Sequence, residues 1–550
     1  MPSPATHLRA PLLWLLVPLM AGLSAAKVWP PPSFGPWPLL LAAGGLCIAA
    51  GWLALHPARW ARFGWGLGIA LAETLAGFAL LQAAVPELHE PLGRPPREVT
   101  VTIEVRQLFP PAPTARSLTG LGRIVAAGEN DRELVGRRVY FAAIRRISVP
   151  PQRSGRYIVR GVIEPLPPDA TGTGFNDYLE NLGIRQRLTR AQVVAEVRPP
   201  GWFQRFCAAA ERRLETILSR GLERHPQTLS LYLAMLLGEK AVLSTEQQNA
   251  FMRSGTFHIF SISGLHVGVI ALAIHSVFSL LRLPRRPAVA VGLVVLWLYV
   301  QITGASPPAM RAFFMIAFLS ASRVFRLPGN ALAALTAAAL VTLLGDPVQL
   351  FSTGFQMSYT VVVALVAMGV PLGEKWLAAW RPFALLPPAD WRWWHTAMNW
   401  CGRWLIGACA ACWVAFLASA PSGIGYFQLF SPGSLVANLV IIPLSSLAMI
   451  AGFLALLAGL TGLAALSVTF NSAAAVTLLV MDWLARHGTG LPGVWFAAHF
   501  RQSWMAPAGI VLMTAVMLAG VSGRWARRQG GFWPPVAVLA LILILGVKFS

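Results

Sequence analysis

Long apolar runs separated by short polar breaks fill most of the chain, and one interval follows a different rhythm. A membrane-crossing helix needs about 20 mostly apolar residues. Runs at 12–29, 37–55 and 63–85 reach that length and predict transmembrane helices within residues 1–85. Beyond residue 86 the apolar positions alternate: Val99, Val101, Ile103 and Val105 interleave with Thr100, Thr102, Glu104 and Arg106. A period of two marks a half-buried β-strand, and similar strands are expected at 122–127, 137–144 and 157–164. Four or five such strands with Pro- and Gly-rich connections in residues 86–200 predict a small β-barrel or sandwich, OB-like in kind.

The period then changes again. Phe203, Phe206, Ala210, Leu214, Ile217 and Leu218 share a helical face opposite Arg205, Glu211, Arg212, Arg213 and Arg220. Residues 201–224 are therefore expected as an amphipathic linker helix lying on the membrane surface. Further spans are predicted near 256–281, 287–304, 309–325, 330–345, 354–372, 404–420, 434–460, 463–485, 506–522 and 533–549. The expected fold is a polytopic α-helical membrane protein of about 13 spans with an extracytoplasmic β domain. Its second membrane block divides into residues 225–485 and a C-terminal helical part, 486–550.

Composition agrees and excludes a class. Of 550 residues, 56% are hydrophobic and only 12% charged, about half the roughly 25% of a soluble protein, so an ordinary cytosolic enzyme is ruled out. Residues 86–224 hold 22 Arg and 15 of the 22 acids, too polar for lipid. The net charge of +22 favours phosphate, in anionic lipid or nucleic acid. Basic residues also orient the chain. Arg59 and Arg62 follow the second run, whereas 30–36 carries no charge, so the N-terminus is expected in the cytoplasm and 86–224 outside. Alternation then puts Arg282, Arg285, Arg286, Arg323, Arg326, Lys375, Arg381, Arg392, Arg403, Arg524, Arg527 and Arg528 inside. The run at 436–460 is either one tilted helix or a broken pair, and the second choice would invert everything downstream. Arg9 before the first run and Ser24, Ala25 and Ala26 after it imitate a cleaved signal peptide, but two further spans follow directly, which favours an anchor.

Several polar residues sit where lipid-facing helices have no use for them. The segment entering the membrane after residue 256 carries His258, Ser261, Ser263, Gly264, His266 and Gly268. Two readings stand: close helix packing through small residues, or the lining of a hydrated cavity. Arg311 opens a span after TGASPPAM; it either snorkels to the interface or faces a partner or water. Gln356, Ser358 and Tyr359, with Asp346 just before, form a third polar opening, and Pro421, Tyr426, Gln428, Ser431 and Asn438 a fourth. Glu73 is a lone acid in the third span. The five cysteines give no disulfide framework, and Cys409 and Cys412 read as small helix residues rather than metal ligands. No Gly-Lys pair occurs, so there is no P-loop; HExxH and GxSxG motifs are missing too. No catalytic residue, metal or cofactor is called for.

The segment LLGEKAVLSTEQQNAFMRSGTFHIFSISGLHVGVIA (236–271) resembles the signature of the ComEC family of competence proteins, membrane channels for DNA internalisation in natural transformation. ITGASPPAMRAFFM (302–315), NALAALTAAALVTLLGDPVQLFSTGFQMSY (330–359) and FQLFSPGSLVANLVIIPL (427–444) continue the resemblance in the family's order. FNDYLENLGI (175–184) looks like part of the family's N-terminal region. The resemblance implies transport of single-stranded DNA across the bacterial cytoplasmic (inner) membrane, with an OB-like domain meeting the strand outside. Phe109, Tyr140, Phe141 and Tyr157 are either stacking platforms or core there. It implies partners as well: single-stranded DNA, membrane lipid, a cytoplasmic translocase ATPase and an external DNA receptor. The longer family pattern has a metallo-β-lactamase-like domain not seen in these 550 residues, so a separate nuclease is expected.

The expected path residues are His258, Ser261, Ser263, Gly264, His266, Gly268, Arg311, Gln356, Ser358, Tyr359, Gln428 and Asn438. One rival is a membrane-embedded enzyme acting on an envelope substrate, with His258, His266 and Arg311 as acid/base and anion-binding groups. Another is a transporter of a small anionic solute.

Overall fold

The computed structural model describes residues 10–549 apart from 31–34, 57–58, 87–94, 110–116, 145–150, 168–173, 239–242, 261, 328, 388–389 and 523–531. Ser261 and the basic residues Arg524, Arg527 and Arg528 thus lie outside the described residues. The chain forms two compact units, Met1–Arg213 with Leu283–Phe355, and Leu214–Arg282 with Gln356–Ser550.

In the first unit, α1 (Leu13–Val28), α2 (Trp37–Ala54) and α3 (Arg59–Ala84) are the expected N-terminal helices. Glycine lets two of them touch. A Cβ on Gly22 would overlap the Thr74 carbonyl, and one on Gly77 would overlap that of Leu19. Close backbone approach of this kind is how helices pack in lipid, where the hydrophobic effect cannot drive them together.

The alternating interval folds as a closed five-stranded barrel of β1 (Arg97–Phe109), β2 (Ser117–Ala127), β3 (Arg138–Ile144), β4 (Arg156–Pro165) and β5 (Gln186–Arg198). Strand order is β1-β2-β3-β5-β4, with β3 and β5 parallel and every other pair antiparallel. Every second residue of β1 (Val99, Val101, Ile103, Val105) is buried with Ile124, Val139, Phe141, Tyr157, Val159 and Leu188. Phe141 and Tyr157 are therefore core. The Tyr157 hydroxyl accepts the Gln152 N–H at 2.9 Å, and burial pushes its phenol above its ordinary range. β5 pairs along both β3 and β4, and closing the barrel through it removes both sheet edges.

The barrel is fastened to helix ends of its own unit. α4 (Phe175–Asn181) leads into Gly183, whose φ of +73° turns the chain against Val85 and Val348. Arg138 pairs with Asp346 at 2.9 Å. The Lys27 ammonium donates to Asn181 at 2.6 Å and lies 4.5 Å from the Phe351 ring centre. Arg153 donates to the Gly304 carbonyl at 2.8 Å. The helices α9 (Arg285–Ile302), α10 (Pro307–Val324) and α11 (Ala331–Gly345) complete the unit. The ends of α1, α3, α9 and α11 thus lie at the barrel's side.

α5 (Trp202–Ser219) is amphipathic, but its apolar face is divided. Phe203 stacks on Trp297 at 5.2 Å, and Cys207, Leu214, Ile217 and Leu218 are buried, while Trp202 and Phe206 stay exposed. Protein covers most of the face that was expected on lipid.

The second unit contains α6 (Pro226–Leu236), α7 (Thr245–Arg253), α8 (Gly264–Leu280), α13 (Val370–Ala379), α14 (Trp393–Phe427), α15 (Ser434–Leu460), α16 (Ala464–Gly488), α17 (Met505–Ser522) and α18 (Pro534–Leu541). α12 (Thr353–Ala364) begins at the boundary and reaches α13 through a π turn, Leu365–Gly369. α15 is one unbroken helix, which removes the broken-pair alternative. A small sheet of β6 (Leu429–Phe430), β7 (Phe496–Phe500) and β8 (Val547–Phe549) gathers three separate segments at one end of the unit. Among the described residues, α15 and α16 separate β6 from β7, and α17 and α18 separate β7 from β8. The last expected span therefore ends in a strand rather than a helix.

Among the described residues seven helices are long and apolar enough to cross a membrane: Trp37–Ala54, Trp60–Ala84, Arg285–Ile302, Thr353–Ala379, Trp393–Phe427, Ser434–Leu460 and Ala464–Gly488. Leu13–Val28, Gly264–Leu280, Ala331–Gly345, Met505–Gly520 and Pro534–Gly546 are shorter apolar helices.

Candidate translocation path

The segment richest in misplaced polar residues is not helical where a span was expected to begin. Gly255 follows α7 with φ +71°, and a Cβ there would meet the Ser434 side chain at 2.6 Å. Thr256 is buried, its hydroxyl 2.7 Å from that of Ser254. Phe257–Phe260 makes one tight turn, and α8 starts only at Gly264. Irregular backbone of this kind is tolerated at membrane depth only against protein or water.

His266 is the third residue of α8 and fully buried. Its Nδ1 accepts the backbone N–H of Ser263 at 3.3 Å, satisfying one of the free donors of a helix start. A ring that accepts at Nδ1 carries its hydrogen on Nε2 when neutral. His395 does the same at the start of α14, accepting the Arg392 N–H at 2.9 Å. Capping is thus part of the reason for a histidine at 266, and it fixes the ring. Around it His258 and Gly264 are exposed, while Ser263 and Gly268 are half-buried.

The third and fourth polar openings meet. Tyr426, near the end of α14, donates its hydroxyl to Gln356 Oε1 in α12 at 2.5 Å. Ser358 is half-buried near it in sequence, and Tyr359 and Thr360 are buried. Gln428 holds a left-handed backbone (φ 54°, ψ 33°) at the exit of α14, and its carbonyl accepts the Ala498 N–H at 3.0 Å. A non-glycine residue there costs about 1–2 kcal/mol, offset locally by the β6–β7 ladder. Asn438 lies one turn into α15; its buried Oδ1 has no hydrogen-bond partner among the described residues, an arrangement that is rare in folded proteins. The first opening joins them, because Gly255 packs on Ser434 and Ser431 and α8 lies along α15.

Arg311 belongs to the first unit. Only 1% exposed, it is the largest fully buried side chain, so it does not snorkel. Its Nη2 donates to the Gly354 carbonyl at 2.7 Å, and the guanidinium lies 6.0 Å from the Phe355 ring centre. It ties α10 to the first turn of α12. Asp346 has a different task, anchoring the barrel through Arg138. Glu73 is half-buried in α3, and Cys409 and Cys412 are free thiols a turn apart in α14.

Sequence reasoning missed two features. Asn471, buried in α16, donates to the carbonyls of Ile217 and Arg220 at 2.9 and 3.0 Å and accepts from the Tyr232 hydroxyl at 3.1 Å. An amide inside an apolar run was the available signal. The three-stranded sheet gave no signal, because strands of two to five residues are too short for a period to register. In the barrel, Phe109, Tyr140, Phe175 and Tyr178 form an aromatic cluster with successive centroids 5.5 to 6.4 Å apart, and Phe175 is half exposed.

Seven long apolar helices among the described residues, in a mostly helical chain, define a polytopic helical membrane protein. The family follows from comparison. The Competence protein family model matches residues 235–527, and the chain belongs to that ComEC-type family. It is 29% identical over 210 residues to ComE operon protein 3 of Bacillus subtilis (strain 168), covering 36% of this chain and 26% of that protein. It is 33% identical over 147 residues to Competence protein ComA of Neisseria gonorrhoeae, covering 25% of this chain and 21% of that one. The matched stretches thus span about a quarter of each relative's length. No solved structure matches the chain.

Proposed function

We propose that this protein takes part in DNA uptake during natural transformation by conducting single-stranded DNA across the bacterial cytoplasmic membrane. In this reading the helices make about 13 spans, with the N-terminus in the cytoplasm and residues 86–224 outside. His258, Ser261, Ser263, Gly264, His266, Gly268, Gln356, Ser358, Tyr359, Gln428 and Asn438 line or gate the path, and Arg311 sets the start of α12. The observation that carries it is the Tyr426–Gln356 bond, which joins two polar clusters 70 residues apart in a chain of the competence family. The barrel serves as an OB-like domain that meets the strand, its aromatic cluster offering faces on which bases stack.

Conduction needs no side chain to change covalently. A polyanion needs donors and water in place of lipid, and fixed hydrogen-bonding groups supply them. The driving force comes from a partner ATPase, since the 550 residues hold no P-loop, and strand degradation from a nuclease. Membrane lipid and an external DNA receptor complete the set.

The test is uptake of labelled DNA by cells expressing His266→Ala and Arg311→Ala at wild-type membrane levels. Loss of uptake is expected. Retained transformation in both variants overturns the reading.

A further inference from the structure

The three-stranded sheet has an outward face that the path does not use. On β7, Ala498 is buried with Val547 and Ile424, and Phe500 packs against them, so His499 turns to the opposite side. Lys548 stands directly across from His499 in the antiparallel register. The Arg501 N–H extends the ladder to the Gly546 carbonyl at 2.9 Å. All three side chains are exposed. One residue before β7, Trp495 carries the Arg253 guanidinium 4.3 Å over its ring, which fixes a further exposed cation at this end. Phe496 and Phe549, which meet edge to face at 6.2 Å between centroids, lie on the other face with Ala498 and Val547.

Among the described residues no ion pair involves Arg253, Arg501 or Lys548. Residues 427–434, 488–505 and 542–549 contain neither Asp nor Glu. A surface sheet ordinarily gains from opposite charges across its strands, and the barrel does so with Arg160–Glu98, Arg156–Glu104 and Arg187–Glu164. A sheet face with cations and without such partners matches a flexible chain of phosphates. It also adjoins the path, since Gln428 bonds Ala498 and Arg253 precedes the turn at Gly255.

We infer that the outward face of β7 and β8 binds the backbone of a single-stranded polynucleotide, with Arg253, Arg501 and Lys548 supplying charge and His499 a hydrogen-bonding ring. The ligand class rests on the proposed function; the site rests on register and charge.

The experiment uses the purified full chain in phosphatidylcholine nanodiscs, with the anisotropy of a labelled oligothymidylate read across a salt series. Each phosphate contact to a single strand contributes about 0.7 to the slope of log K against log salt. The pair Arg501→Gln and Lys548→Gln is expected to lower that slope by about 1.4 and, with curves meeting near 1 M, to weaken binding about 25-fold at roughly 0.1 M salt. Lys548→Arg keeps the wild-type slope. A double variant with wild-type affinity and slope overturns the proposal, as does weaker binding at an unchanged slope. If discs containing phosphatidylglycerol erase the difference between wild type and double variant, lipid headgroups hold this face and the proposal is likewise overturned. Uptake by the His266 and Arg311 variants stays a separate test, because neither residue lies on the sheet.

Discussion

The barrel and the three-stranded sheet are both β structures rich in basic residues, and they use them in opposite ways. In the barrel, arginines lie beside carboxylates: Arg97 reaches Asp131 and Glu133 at 2.9 Å, and Arg160, Arg156 and Arg187 have cross-strand acids. In the sheet Lys548 faces His499, and no acid lies in residues 427–434, 488–505 or 542–549. The barrel has seven more Arg than acids over residues 86–224 (22 minus 15), yet much of that charge is spent on holding strands together. A count of basic residues therefore identifies a polyanion surface poorly. Register identifies it better.

The comparison can be broken at several points. Its largest expected effect is on stability. Phe141→Ala empties the barrel core and is expected to cost about 3–5 kcal/mol, seen as protease cleavage within 97–198 while the helices resist; an intact barrel would mean that this core does not hold it. Phe175→Ala removes the exposed ring of the aromatic cluster and should weaken oligonucleotide binding by about 1–3 kcal/mol with no change in salt slope. A changed slope would place phosphate contacts on the barrel and erase the contrast.

Asp346→Asn, which loosens the partly exposed pair with Arg138, is expected to cost about 0.2–1 kcal/mol, read as a small fall in thermal midpoint. Arg160→Gln is the quiet control: its pair with Glu98 is solvent-exposed, so oligonucleotide affinity and slope should stay at wild-type values. A pH series adds a signed test. Burial raises the Tyr157 phenol, so its stabilising contribution is complete below the unfolded value of about 10 and is lost as pH rises past the folded one. Barrel stability should therefore fall in strong alkali, with phenolate absorbance appearing late; early ionisation of this residue would contradict its buried place.

The N-terminal helices and the first barrel strand were legible as patterns, because a long period repeats often enough to stand out, whereas the run at 436–460 stayed open between one helix and a broken pair until the structure showed one. The short strands were not legible, since two or three residues carry no period. Polar residues in apolar runs marked where to look but not what each does: Asp346 anchors the barrel, His266 caps a helix, and Asn471 holds the end of α5.

The amino-acid sequence alone determined that this is a membrane protein with a β insertion, because hydropathy and period are local properties summed along the chain, and its motifs carried the resemblance to the competence family. Tertiary structure decided which arginines remain available, that Tyr426 reaches Gln356, and that three distant loops join as one sheet. Those outcomes depend on pairings between residues far apart in the chain, and local patterns do not encode them.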